Sequence, residues 1–63
     1  MNFADQIIFN RMFQQVVHKG GESEINYIKR FHNTKALLTL MRNSYTEYQL
    51  MHTFLNNFKQ GGN

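Results

Sequence analysis

Apolar residues along this 63-residue chain recur at three- and four-residue spacings, and that rhythm divides it into three amphipathic segments. Placed at steps of about 100°, Ile8, Phe9, Met12, Phe13, Val16 and Val17 share one half of a helical wheel, opposite Asn10, Arg11, Gln14 and Gln15. Asn2 is a candidate N-cap, Asp5 falls in the first turn where the helix dipole favours an anion, and Lys19 before Gly20 and Gly21 is a stop signal, so the pattern predicts a helix over 3–19. A second helix is expected over 23–42, starting on Ser23, with a main stripe of Tyr27, Phe31, Thr34, Leu38 and Met41. It carries a weaker second stripe, Ile25, Ile28, Ala36 and Leu40, and is therefore apolar over more of its circumference than the surface helix of a monomer needs. Asn43 and Ser44 mark a break. Ser44 with Glu47, or Thr46 with Gln49, fits a capping box opening a third helix over 46–59, where Leu50, Met51, Phe54, Leu55 and Phe58 gather against Gln49, His52, Thr53, Asn56 and Asn57, and Gly61-Gly62 closes it. No stretch alternates with period two and no hairpin dipeptide separates two such stretches, so the expected class is all-α, a small three-helix bundle in one domain spanning 1–63.

Length and composition sharpen this picture. A domain of this size buries only about 60% of the surface its unfolded chain exposes, and the absence of Cys removes both a disulfide and a thiolate zinc site as staples. Association with a second copy is the remaining common one. Seven Lys and Arg against four Asp and Glu give a formal charge of +3, a mild excess that permits weak, non-specific nucleic-acid binding without demanding it. The longest apolar runs, Ile7-Ile8-Phe9 and Ala36-Leu37-Leu38, are far below the roughly 20 residues that span a bilayer. Asp5 and Arg11 also interrupt any secretory apolar segment near the start, so a cytoplasmic location is expected.

The stretch from Gly21 to Phe31 is the most distinctive. Gly21, Glu22, Ser23, Tyr27, Arg30 and Phe31 combine a helix start with apolar surface at helical spacing. This block resembles the major homology region of gag polyproteins from retrotransposons and retroviruses. The order of a Glu-Ser, then Tyr, Arg and Phe, then a polar break and a helix with a Phe-Leu block is similar to that of gag capsid domains from about Phe13 to Phe58, with Thr46, Glu47, Leu50, Phe54, Leu55 and Phe58 as the second matching block. Asn26 stands where many members have Glu, and Asn56 and Asn57 replace the usual Gly after the Phe-Leu pair. The resemblance implies a capsid-region fragment or separately expressed remnant. It also implies an architectural role for Glu22, accepting from amides, and for Arg30, pairing with a carboxylate.

Candidate chemistry is otherwise sparse. His18, His32 and His52 share no helical turn and read as solvated, Ser23 and Ser44 are accounted for by capping, and neither Gly doublet is followed by the Lys-Ser or Lys-Thr of a phosphate loop. No enzyme, cofactor or metal is expected. A small basic nucleic-acid-binding or regulatory three-helix module is the main rival, yet for nucleic acid the third helix offers only Lys59 near its end, with Glu47 at its start, and Lys29, Arg30, Lys35 and Arg42 form no single cationic face. A further alternative is a peptide-binding adaptor whose groove is built from Phe3, Ile7, Met12, Met51 and Phe54. The preferred reading is a non-enzymatic self-assembly module. Its core anchors are Tyr27, Phe31, Leu50, Phe54, Leu55 and Phe58, and Ile7, Ile25, Ile28, Ala36 and Leu40 are its candidate self-association residues. Its expected partner is itself, as a homodimer, with exchange of the first helix across the Gly20-Gly21 hinge as one way to form it.

Overall fold

The computed structural model describes residues 2–61 and contains three helices, α1 Phe3–Phe13, α2 Glu24–Leu40 and α3 Glu47–Gly61. Each begins on a local cap. The Asn2 side chain accepts from the Asp5 amide at 2.8 Å, Ser23 Oγ accepts from the Asn26 amide at 3.2 Å, and Thr46 Oγ1 accepts from the Gln49 amide at 3.0 Å, satisfying donors that a helix start leaves unpaired. Of the two capping boxes considered for α3, Thr46 is therefore the one whose side chain caps. Gly62 of the expected closing doublet lies outside the described residues.

The first helix ends six residues earlier than the sequence pattern predicts, at Phe13 in place of Lys19. The cause is tertiary. The Asn57 side-chain amide donates to the Phe13 carbonyl at 3.0 Å and to the Val16 carbonyl at 2.7 Å, while the His18 amide donates to the Asn57 carbonyl at 3.1 Å. These contacts take up main-chain groups that a continued helix would use internally, and the segment from 14 to 23 runs instead as a buried-then-exposed connection that puts Val16 into the core.

The second helix ends in a Schellman turn. The Asn43 amide donates to the Leu38 carbonyl at 2.9 Å and the Arg42 amide to the Thr39 carbonyl at 3.0 Å, with Arg42 in the left-handed region at φ 57. Asn43 Nδ2 then donates to the Asp5 carbonyl at 3.1 Å and the Ser44 amide to Asp5 Oδ2 at 3.3 Å, fastening this corner to the start of α1. Gln49 Nε2 donates to Gln6 Oε1 at 3.0 Å, so α1 and α3 start together and run parallel, with α2 antiparallel to both.

The core is largely aromatic. Phe9, Phe13, Val16, Tyr27, Phe31 and Leu38 are buried, and Ile8, Met12, Tyr45, Leu50, Phe54 and Phe58 pack around them half-covered. Phe13 meets Phe31 at 4.5 Å between ring centroids, and Phe54 approaches Phe31 edge-on at 5.0 Å and Tyr27 at 5.1 Å, tilted arrangements that ring quadrupoles favour. Two expectations fail. Leu55, assigned to the core, is 53% exposed, and Met41, assigned to the main stripe of α2, is 54% exposed. The wheel of α3 is rotated so that Asn57, expected on the outer polar face, is the residue sealed inside.

Candidate functional site

Two features of the motif region stand out, a polar knot and an uncovered apolar face. The knot begins at Gly21, whose φ of +83 only glycine adopts without strain. The turn it makes brings Glu22 back toward α2 one residue before the Ser23 cap. Arg30 grips the Glu22 carboxylate bidentately, Nε to Oε2 at 2.7 Å and Nη2 to Oε1 at 2.8 Å, and the same Nη2 donates to the Val17 carbonyl at 2.7 Å. The Lys19 amide adds a bond to Glu22 Oε1 at 3.1 Å. Glu22 thus accepts from an amide and Arg30 pairs with a carboxylate, the roles expected of these two residues. Its physical effect is to tie the connection between α1 and α2 onto the first turns of α2. The Arg30 guanidinium, aided by the Lys19 amide, holds the Glu22 carboxyl at about 2, well below its ordinary 4.5, and the Glu22 carboxylate pushes Arg30 above its ordinary value.

Tyr27 and Phe31 carry the knot into the core. Tyr27 is fully buried, and its hydroxyl donates to the Phe54 carbonyl at 2.6 Å, joining the two motif blocks across the bundle. Burial pushes its phenol from 10.0 to about 12. Beside it lies His18, which is not a solvated side chain as its spacing suggests. Its ring stacks on Phe58 at 4.8 Å and meets Tyr27 edge-on at 5.5 Å, and its Nε2 donates to the Glu22 carbonyl at 2.9 Å. That bond fixes the proton on Nε2 and leaves Nδ1 buried without a partner among the described residues. His32 and His52 are exposed as expected, and no group of three metal-ligating side chains occurs among the described residues.

The apolar face lies on the outer side of α2. Ile25 is 65% exposed, Ile28 49% and Leu40 79%, and Ala36 shares the same outward arc. Leu37 and Met41 are also half-exposed and extend the C-terminal end of the face; Leu37 falls between the two stripes the pattern shows, and Met41, expected on the inner stripe, turns outward instead. A second exposed set, Tyr48, Met51 and Leu55, follows the i, i+3, i+7 spacing of one helical stripe on α3. Ile7, expected to share a surface with the α2 residues, does not join them. It lines an open groove between α1 and α3. The peptide-binding groove expected from Phe3, Ile7, Met12, Met51 and Phe54 does not form as such, because Met12 and Phe54 pack against the core while Phe3 and Met51 are exposed elsewhere. Among the described residues no helix is long and apolar enough to cross a membrane. Comparison with protein-family models, with curated proteins and with solved structures yields no match to this chain.

Proposed function

We propose that this chain is a non-enzymatic, cytoplasmic self-association module whose partner is a second copy of itself, built like a capsid-region segment of a retroelement gag. One observation carries the reading: α2 leaves Ile25, Ile28 and Leu40 49–79% exposed, although the chain has too little core to leave such side chains uncovered without cost. Full burial of one such residue is worth about 1.5–3 kcal/mol, so covering several of them against a twin contributes on the scale of the whole stability of a small domain. The Glu22–Arg30 pair supports the same reading in an architectural role, because it fixes the start of the helix that presents the face. Exchange of α1 across Gly20-Gly21 is one route to the dimer, and α2-to-α2 docking of intact bundles is the other.

Sedimentation velocity across a concentration series tests this. The expected result is a mass that rises with concentration in the unaltered chain and stays at one copy in an Ile28→Lys, Leu40→Lys double variant that keeps its helical circular dichroism. A chain that remains a single copy at millimolar concentration overturns the proposal.

A further inference from the structure

The groove between α1 and α3 has an apolar floor under amide-bearing walls, and it lies apart from the exposed face of α2. An open cavity of about 500 Å³ bottoms out on the buried rings of Phe9 and Phe13, with Asn10, Arg11 and Gln14 on one wall and His52 and Asn56 on the other. A second cavity of about 340 Å³ continues it, shares Asn10, His52 and Thr53 with it, and reaches Gln6 and Gln49. The groove therefore follows the seam of the parallel pair from Gln14 back to Gln6, about 12 Å at the helical rise, which matches about four residues of extended chain.

Its chemistry is specific in two respects. A relay of amides runs across the seam, Gln49 Nε2 to Gln6 Oε1 at 3.0 Å and Gln6 Nε2 to Asn10 Oδ1 at 3.0 Å. The relay occupies the Asn10 carbonyl and leaves its NH2 group as an oriented donor. The side chains of Gln14 and Asn56 likewise have no hydrogen-bond partner among the described residues. Side-chain amides offer a donor and an acceptor together, the complement of a peptide main chain. The second respect is charge. None of the four acidic residues lines either cavity, whereas Arg11 does and has no ion-pair partner among the described residues. Beside it His52 stacks against Tyr48 at 6.0 Å.

We infer that this seam is a binding site for an extended, acidic polypeptide segment, held through its main chain by Asn10, Gln14 and Asn56 and through a carboxylate by Arg11. Ile7, 45% exposed at the groove wall, gives an apolar side chain of the ligand a place to rest. A single-stranded nucleic acid fits less well, since backbone phosphates need several cations along the track and this groove supplies one permanent one. The site is independent of the α2 face.

The test is a fluorescence-anisotropy titration of the full chain with a labelled octapeptide of alternating Glu and Val, alongside its Lys-Val counterpart and an octauridine strand, with nitrogen-15 spectra of the side-chain amides recorded in parallel. The expected result is binding of the Glu-Val peptide at least tenfold tighter than of the other two, with the Asn10, Gln14 and Asn56 NH2 signals moving. Arg11→Gln, a change at an exposed residue outside the core, weakens binding at least tenfold with the fold intact, and Asn10→Leu does so as a second variant. The Ile28→Lys, Leu40→Lys variant binds as the unaltered chain does. Equal affinity for Glu-Val and Lys-Val peptides, tighter binding of octauridine, or no binding of the Glu-Val peptide overturns the inference.

Discussion

The pair α1 and α2 and the helix α3 are held in the same bundle by different means. Phe9, Phe13, Tyr27, Phe31 and Leu38, all on the first two helices, are buried with Val16 from the connection between them, and α3 adds only half-covered rings and Leu50. What α3 contributes instead is directional. Asn57 donates to the Phe13 and Val16 carbonyls, the Asn57 carbonyl accepts from the His18 amide, the Phe54 carbonyl accepts from Tyr27, and Gln49 donates to Gln6. Burial is tolerant of small shifts whereas hydrogen bonds to main-chain atoms are not. The first pair sets how much stability there is, and α3 sets the register in which the bundle closes.

Substitutions can break this division at chosen points. Phe13→Ala removes a ring that contacts both Phe9 and Phe31, and a loss of about 3–5 kcal/mol is expected, enough to abolish the cooperative urea transition of so small a domain. Asn57→Ala leaves two main-chain carbonyls unpaired in the interior and is expected to cost about 1–3 kcal/mol. Hydrogen exchange should then quicken in α3 before α2, and uniform acceleration across both would refute a separate role for α3. The Glu22–Arg30 knot belongs to the first pair and is exposed by acid. Because the folded-state carboxyl titrates at about 2 against an ordinary 4.5, its stabilisation is complete above about 4.5 and is lost as pH falls toward 2. Glu22→Gln is expected to flatten the dependence of melting temperature on pH across that window, and an unchanged slope contradicts the assignment.

Smaller effects sharpen the comparison further. Tyr27→Phe keeps the ring and deletes the hydroxyl bond to α3, with an expected cost of about 0.5–1.5 kcal/mol. It also removes this phenol's own contribution to alkaline destabilisation. The unfolded phenol ionises near 10.0 and the folded one near 12, so its stabilisation is present below 10 and lost as pH rises toward 12. Last, Gly21→Ala is expected to cost about 1 kcal/mol through its left-handed backbone, while Gly20→Ala, where an added methyl meets nothing within 4 Å, should cost less or be neutral. Equal costs at the two glycines would show that the knot does not depend on the turn.

Local signals in the sequence carried much of this fold, and distant ones did not. Three helices, the caps at Asn2, Ser23 and Thr46, and Tyr27 and Phe31 as anchors follow from spacing and capping chemistry within a few residues. The early end of α1 depends on Asn57, 44 residues beyond Phe13, and no local pattern announces it. Leu55 and Asn57 exchanged their expected places because a wheel fixes which residues lie together, not which arc of α3 meets the other helices. The Glu22–Arg30 pair was suggested by the gag-like motif alone, since a separation of eight across a glycine turn has no periodic signature. His18 was missed because its burial is imposed by Phe58 and Tyr27, which sequence spacing leaves unrelated to it.

Arg42 makes the corner after α2 a decision taken by one backbone angle. At φ 57 it holds a conformation that a β-branched side chain resists more strongly than arginine does, so Arg42→Val should favour continuing the coil through residues 41–46. Straightened in that way, α2 and α3 would merge into one rod, Asp5 would lose its hold on Asn43 and Ser44, and the third segment could reach the body of a neighbouring molecule. A single residue would then separate a self-contained hairpin from an interlocked pair.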